Sequence, residues 1–159
     1  MPVVPTIEGV PTIRLTTVVA ADVARCFELS LSVDAHTASM SGSRERIVGG
    51  VASGSMRLGD TVTWRAVHFG IPFTMTSRIT AYDEPRRFVD EQVSGPFHHW
   101  RHEHTFEAVG SGTLMTDAID YASPLGPLGR AVDAAFLARY LTRLIETRNR
   151  WLADELARA

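Results

Sequence analysis

Three groups able to move a proton or bind a metal stand at alternating positions in the stretch Phe88 to Phe106, and a fourth follows closely. They are Asp90, His102, His104 and Asp117. Successive side chains of a strand point to opposite faces. The second half of the stretch therefore places Trp100, His102, His104 and Phe106 together, and His99, Arg101, Glu103 and Thr105 on the reverse. Phe88, Asp90 and Gln92 share a face in the first half. Met115, Asp117, Ile119 and Tyr121 do so on the next run. An imidazole beside a carboxylate in a dry site can titrate near neutrality and serve as a general acid or base. Tyr121 could then donate to a carbonyl oxygen. Two imidazoles one residue apart on a strand could also share a metal, with Asp117 as the carboxylate. Zinc takes four protein ligands in structural sites and three in catalytic ones, and this spacing secures two, so no metal is expected. The third reading is a polar cluster that braces the wall or orients a ligand. All three stay open on the residues alone. Aromatic bulk mixed with imidazoles suits neither a solid core, where buried polar groups need partners, nor a wetted face. It suits the wall of a cavity.

The elements that must hold these residues read as strands, then one long helix. Thr12 to Val19 alternates and predicts a strand. Asp22 can cap a short helix carrying Val23, Cys26 and Phe27, and Val33 to Thr37 forms a second short helix or turn. Arg44 to Val48 is a weak strand before Gly49-Gly50. The segment from Ala52 to Asp60, rich in Gly and Ser, is expected to be mobile. Thr61 to His68 puts Val62, Trp64, Ala66 and His68 on one face. Gly70 to Pro72 turns the chain into a strand from Phe73 to Tyr82, closed by Asp83-Glu84-Pro85. Gly95-Pro96 turns the central hairpin. Gly110-Ser111-Gly112 joins Trp100–Phe106 to an antiparallel partner, Thr113 to Tyr121. Ser123-Pro124-Leu125-Gly126-Pro127 stops the sheet, and Pro127 suits a first helical turn. A helix is predicted from Pro127 to Leu156, with Leu128, Val132, Phe136, Tyr140 and Leu144 stepping by four beside Leu137, Leu141, Ile145 and Leu152. Arg139, Arg143, Arg148 and Arg150 are assigned to its solvated side, near Glu146. Helices on one face of an antiparallel sheet make the class α+β.

Composition narrows the function. The 159 residues suit one domain, with a Pro-rich, flexible start over residues 1–11 and a single ligand-binding domain over 12–159. The formal charge of −2 offers no basic surface to nucleic acid. A lone Cys26 allows no internal disulfide and suits a reducing, cytoplasmic setting, as a small buried hydrophobe rather than a nucleophile. The N-terminus lacks the charged and apolar regions of a secretory signal, and no apolar run reaches the roughly 20 residues that span a bilayer. Gly-x-Ser-x-Gly, a phosphate loop and Gly-x-Gly-x-x-Gly are absent, so no cofactor is expected. His98 and His99 adjoin the turn and read as solvated.

The element order, Gly95-Pro96-Phe97, the Trp100-x-His102-x-His104-x-Phe106 strand and Ser123-Pro124-Leu125-Gly126 before the long helix resemble the START-like helix-grip superfamily. This group, SRPBCC, includes polyketide cyclases and dehydrases, lipid-transfer domains and the birch-pollen allergen. Small bacterial members carry the same pieces, with an equivalent of Trp64-Arg65-Ala66-Val67-His68-Phe69-Gly70. The resemblance implies a curved sheet of about seven strands around the long C-terminal helix. It also implies a pocket between them for a hydrophobic small molecule of polyketide, lipid or aromatic type. The candidate lining is Trp64, His68, Phe88, Asp90, Gln92, Trp100, His102, His104, Phe106, Met115, Asp117, Tyr121, Phe136 and Tyr140, with one polar patch. The alternative is a cofactor-free cyclase- or dehydrase-type enzyme using the His and Asp groups. A weaker one is a protein-interaction module, with the chain as monomer or homodimer.

Overall fold

Alternation in β1 (Thr12–Val19) buries Ile13 and Val19 while leaving Thr12 and Arg14 outside. The strand feeds α1 (Val23–Leu31), which Asp22 caps by accepting from the Arg25 amide at 3.0 Å. Ser32 caps α2 (Val33–Ser39) through the Ala35 amide at 3.1 Å. Each cap satisfies a backbone N–H that the helix leaves unpaired. Strands β2 (Arg46–Gly50), β3 (Thr61–His68), β4 (Ile71–Asp83), β5 (Arg87–Ser94), β6 (His99–Val109) and β7 (Gly112–Ala122) follow, then α3 (Gly126–Val132) and α4 (Ala138–Arg158). The computed structural model describes residues 10–123, 126–132 and 136–158. The expected flexible start therefore lies almost wholly outside the described residues, as do Pro124 and Leu125.

The seven strands form one antiparallel, curved sheet in the order β1-β7-β6-β5-β4-β3-β2. Only β1 breaks the sequential order, returning beside β7 with Leu15 opposite Asp117. Register shifts between Ile47 and Gly49, Thr76 and Ser77, and Ile79 and Ala81 bend the strands. Gly50 is required at one bend: its φ is +75°, and a Cβ there would meet the Thr61 backbone.

The concave face receives α1 and α4. Phe27, with no exposed surface, meets Tyr82, Phe88 and Phe106 edge-on at 5.3, 5.7 and 5.6 Å. Leu152 and Leu156 of α4 join that cluster, whereas Leu141 and Ile145 pack with Ile13, Ile119 and Tyr121.

Three expectations need correction. The stripe stepping by four from Leu128 is gripped only in part: Leu128 is 80 % and Phe136 53 % exposed, whereas Tyr140 and Leu144 are half-buried against the hollow. The buried stripe is Leu141, Ile145, Leu152 and Leu156, and it includes Arg148, which is 5 % exposed rather than solvated. The predicted helix from Pro127 to Leu156 is followed through α3 and α4, with a π-type turn at Phe136–Leu137 leading into α4. Residues 133–135 lie outside the described residues. The Gly/Ser-rich segment 52–60 is fastened rather than loose. Val33 donates to the Gly54 carbonyl at 2.9 Å, Met56 to Leu31 at 3.1 Å and Gly59 to Ile79 at 2.9 Å, with the Met56 side chain buried.

Candidate ligand cavity

Gln92 sets the turn that opens the central hairpin. Its side chain donates to the Phe97 carbonyl at 2.7 Å and accepts from the Phe97 amide at 3.2 Å. A Cβ at Gly95 would collide with that amide group, which is why glycine precedes Pro96. From this turn β6 runs between β5 and β7. Register places His102 opposite Asp90 and Ile119, and His104 opposite Phe88 and Asp117. One carboxylate thus flanks the histidine pair on each side.

The two rings pack with centroids 3.7 Å apart, and Phe88 stacks on His104 at 4.2 Å. Asp117 Oδ1 accepts from His102 Nε2 at 2.8 Å and lies 3.1 Å from His104 Nδ1. His104 Nε2 lies 2.9 Å from Asp90 Oδ2, and His102 Nδ1 is 3.9 Å from the same oxygen. Behind them Asn149 donates to Asp117 Oδ2 at 2.7 Å, and Arg148 approaches Oδ1 at 3.5 Å. Asp117 is only 2 % exposed. Burial alone would raise its pKa. The hydrogen bonds from His102 and His104 and the nearby cationic charges outweigh that and hold the carboxyl well below its ordinary range. Asp90 is lowered likewise, burial being offset by the His104 hydrogen bond and the charges of His102, His104 and Arg148. Burial first, then the charge of His104, pushes His102 below the usual imidazole range despite the carboxylates.

This cluster forms one wall of a cavity of about 450 Å³ between sheet and C-terminal helix. Of the sequence-derived lining, β3 brings Trp64 and His68, and β5 brings Phe88 and Asp90. Strand β6 brings Trp100, His102 and His104, and the helix side brings Phe136 and Tyr140. Five candidates lie elsewhere. Gln92 braces the turn, Phe106 and Met115 fill the core around Phe27, and Tyr121 is buried beside Ile119. Asp117 stands behind the histidines. Tyr121 is thus not placed to donate to a carbonyl in the cavity.

The polar wall is also not single. His68 Nδ1 lies 2.6 Å from the Tyr140 hydroxyl, and burial lowers His68 and raises Tyr140 from their ordinary pKa values. His36, 2.9 Å from Glu45, lies at 4.3 Å against Trp64. Sequence reasoning missed His36, Glu45, Arg148 and Asn149. It also missed the β4 row Phe73, Met75, Ser77 and Ile79, whose period of two was the available signal. His98 is exposed as expected, whereas His99 is half-buried.

Antiparallel strands curved around a terminal helix, with an apolar hollow between them, define a START-like helix-grip protein. The chain belongs to the family "Polyketide cyclase / dehydrase and lipid transport", which matches residues 11–157. No curated protein matches it. Among solved structures it is similar to TTHA0849 from Thermus thermophilus, with a TM-score of 0.76 at 15 % identity, covering 92 % of this chain and 97 % of that one. It is similar to the Zhui aromatase/cyclase from Streptomyces sp. R1128, with a TM-score of 0.72 at 17 % identity and 94 % of both chains. Major latex-like protein 151 of Panax ginseng gives 0.68 at 18 %, covering 92 % and 97 %. At these identities the likeness is one of fold. Among the described residues no helix is long and apolar enough to cross a membrane.

Proposed function

We propose that this protein binds a hydrophobic small molecule, of polyketide, lipid or aromatic type, in the cavity between the sheet and the C-terminal helix. The observation that carries this reading is a hollow of about 450 Å³ whose walls are mostly apolar, with a few placed polar groups: Asp90, His102 and His104 on one side and His68 with Tyr140 on another. Small-molecule sites combine apolar walls for affinity with a few placed polar groups for orientation. The family description agrees with it, as does the aromatase/cyclase activity for which the Zhui protein is named. A reducing, cytoplasmic setting goes with this reading, on the strength of a single, buried Cys26. The test is native mass spectrometry of the protein purified from its own host. A retained small-molecule mass, released by denaturation and lost in a variant whose cavity is filled by Ala66→Phe, is the expected result. Unliganded protein that also fails to take up a panel of polyketones, fatty acids and aromatics refutes it.

A second reading is a cofactor-free cyclase or dehydrase. The specific observation behind it is that both histidines reach the cavity wall while held by carboxylates, which is how an acid–base pair is poised. The same retained compound, incubated with the protein and followed for conversion, separates carrier from enzyme.

A further inference from the structure

The cluster at the cavity wall sets two imidazoles between two carboxylates. Each imidazole turns one nitrogen towards Asp117 and the other towards Asp90. Asp117 takes His102 Nε2 at 2.8 Å and His104 Nδ1 at 3.1 Å. Asp90 Oδ2 faces His104 Nε2 at 2.9 Å and His102 Nδ1 at 3.9 Å. When Asp117 accepts one hydrogen from each ring, the nitrogens left over on neutral imidazoles carry lone pairs. Those two lone pairs and a carboxylate oxygen then converge on one point. Without an ion, a proton on His104 Nε2 closes the 2.9 Å contact to Asp90; a metal ion can take that proton's place while Asp117 accepts from both rings.

We propose that Asp90, His102 and His104 form a binding site for one divalent first-row transition metal, oriented by Asp117. One ligand atom from each of the three lies within 4.8 Å of the others. Bonds of about 2.1 Å to imidazole nitrogen and carboxylate oxygen place neighbouring ligand atoms roughly 3.0 to 3.4 Å apart, in octahedral or tetrahedral geometry. The 2.9 and 3.9 Å separations bracket that spacing, so small side-chain rotations suffice. Two histidines and one carboxylate are a recurrent set for zinc and non-haem iron. A carboxylate on the far nitrogen of each ligating histidine is the usual means of fixing ring orientation. Here Asp117 serves both rings and is itself fixed by Asn149 at 2.7 Å. Charge agrees: with neutral rings, Asp90, Asp117 and Arg148 leave one net negative charge in a largely buried cluster. A divalent ion turns that into one net positive charge. Because Asp90, His102 and His104 all line the cavity whereas Asp117 does not, the ion's open positions face the hollow. The organic ligand they favour is a monoanionic oxygen group, a carboxylate or an enolate.

The expectation of no metal counted two ligands on β6; pairing with β5 supplies the third. The experiment needs no organic ligand, so its outcome is independent of the cavity proposal. Protein stripped with EDTA is titrated with zinc or cobalt(II) by calorimetry. One saturable equivalent is expected, with affinity falling about 100-fold in Asp90→Asn and by about 10- to 100-fold in Asp117→Asn. A double variant His98→Ala, His99→Ala should bind as the parent does. Proton NMR of the cobalt(II) form should show two strongly shifted, exchangeable imidazole N–H signals, those donated to Asp117; this reading depends on no variant folding. Absence of one-equivalent binding, retained affinity in Asp90→Asn, loss in the His98/His99 variant, or fewer than two shifted N–H signals would each overturn the proposal.

Discussion

Removing Asp117 should cost more stability than removing His104, although the two touch. Asp117 is the acceptor for His102, His104, Asn149 and Arg148, and it is buried on every side. Among the described residues, Asp117→Ala leaves Arg148 with only the Asn149 side-chain oxygen at 3.1 Å and the Ser30 carbonyl at 3.5 Å. Breaking a buried ion pair by deleting one partner costs about 3 to 5 kcal/mol, because the remaining charge stays desolvated. His104→Ala is different. Asp117 keeps three donors, and the Asp90 side chain, 21 % exposed, can turn to water or ligand. The loss is then two hydrogen bonds at about 1 kcal/mol each, or about 2 kcal/mol. Losing His104 therefore strands no buried carboxylate in this fold. Urea denaturation in EDTA measures both costs. With a slope of about 2 kcal/mol per molar, the two midpoints should differ by about 1 M. Equal costs, or a larger one for His104→Ala, would refute the view of Asp117 as the hub that ties sheet to helix.

Burial depresses the His68 pKa, so below about pH 6.5 the unfolded chain binds the proton more readily than the folded one. Stability contributed by His68 is thus present above that pH and is lost as pH falls towards the folded value; urea midpoints between pH 8 and pH 5 should fall more steeply in the parent than in His68→Asn. The Cys26 thiol is raised by burial and wholly enclosed, so iodoacetamide should label it only after denaturation; rapid labelling of native protein would contradict the placement of α1. Trp100→Ala removes an indole packed 4.9 Å from Phe97 on the cavity wall, and should change the affinity for the dye ANS more than fivefold in a fluorescence titration. An unchanged titration would place the dye outside the cavity.

Much of the architecture was readable because it depends on local rules. The bounds of β1 and β3 follow from alternation alone, and Asp22 announces α1 because an unpaired helix N–H needs an acceptor. The pairing of β6 with β7 follows from a short glycine loop. That Trp100, His102 and His104 share a face is a consequence of the period of two. What local rules could not settle is which sheet neighbour and which helix turn meet that face. Asp90 joins the histidines because β5 and β6 register at one offset; a slip by one residue would point it away. Arg148 and Asn149 look like surface residues in a helix rich in Arg and Glu. They are drawn inward because α4 docks on its Leu141–Ile145–Leu152 stripe, a choice the Leu128–Phe136–Tyr140 stripe contests equally well in sequence. Tyr121 and Met115 share the periodicity of the cavity wall yet lie in solid core, since depth along a curved sheet depends on what packs above each position. Periodicity assigns a side, and only the packed structure assigns what occupies the space on that side.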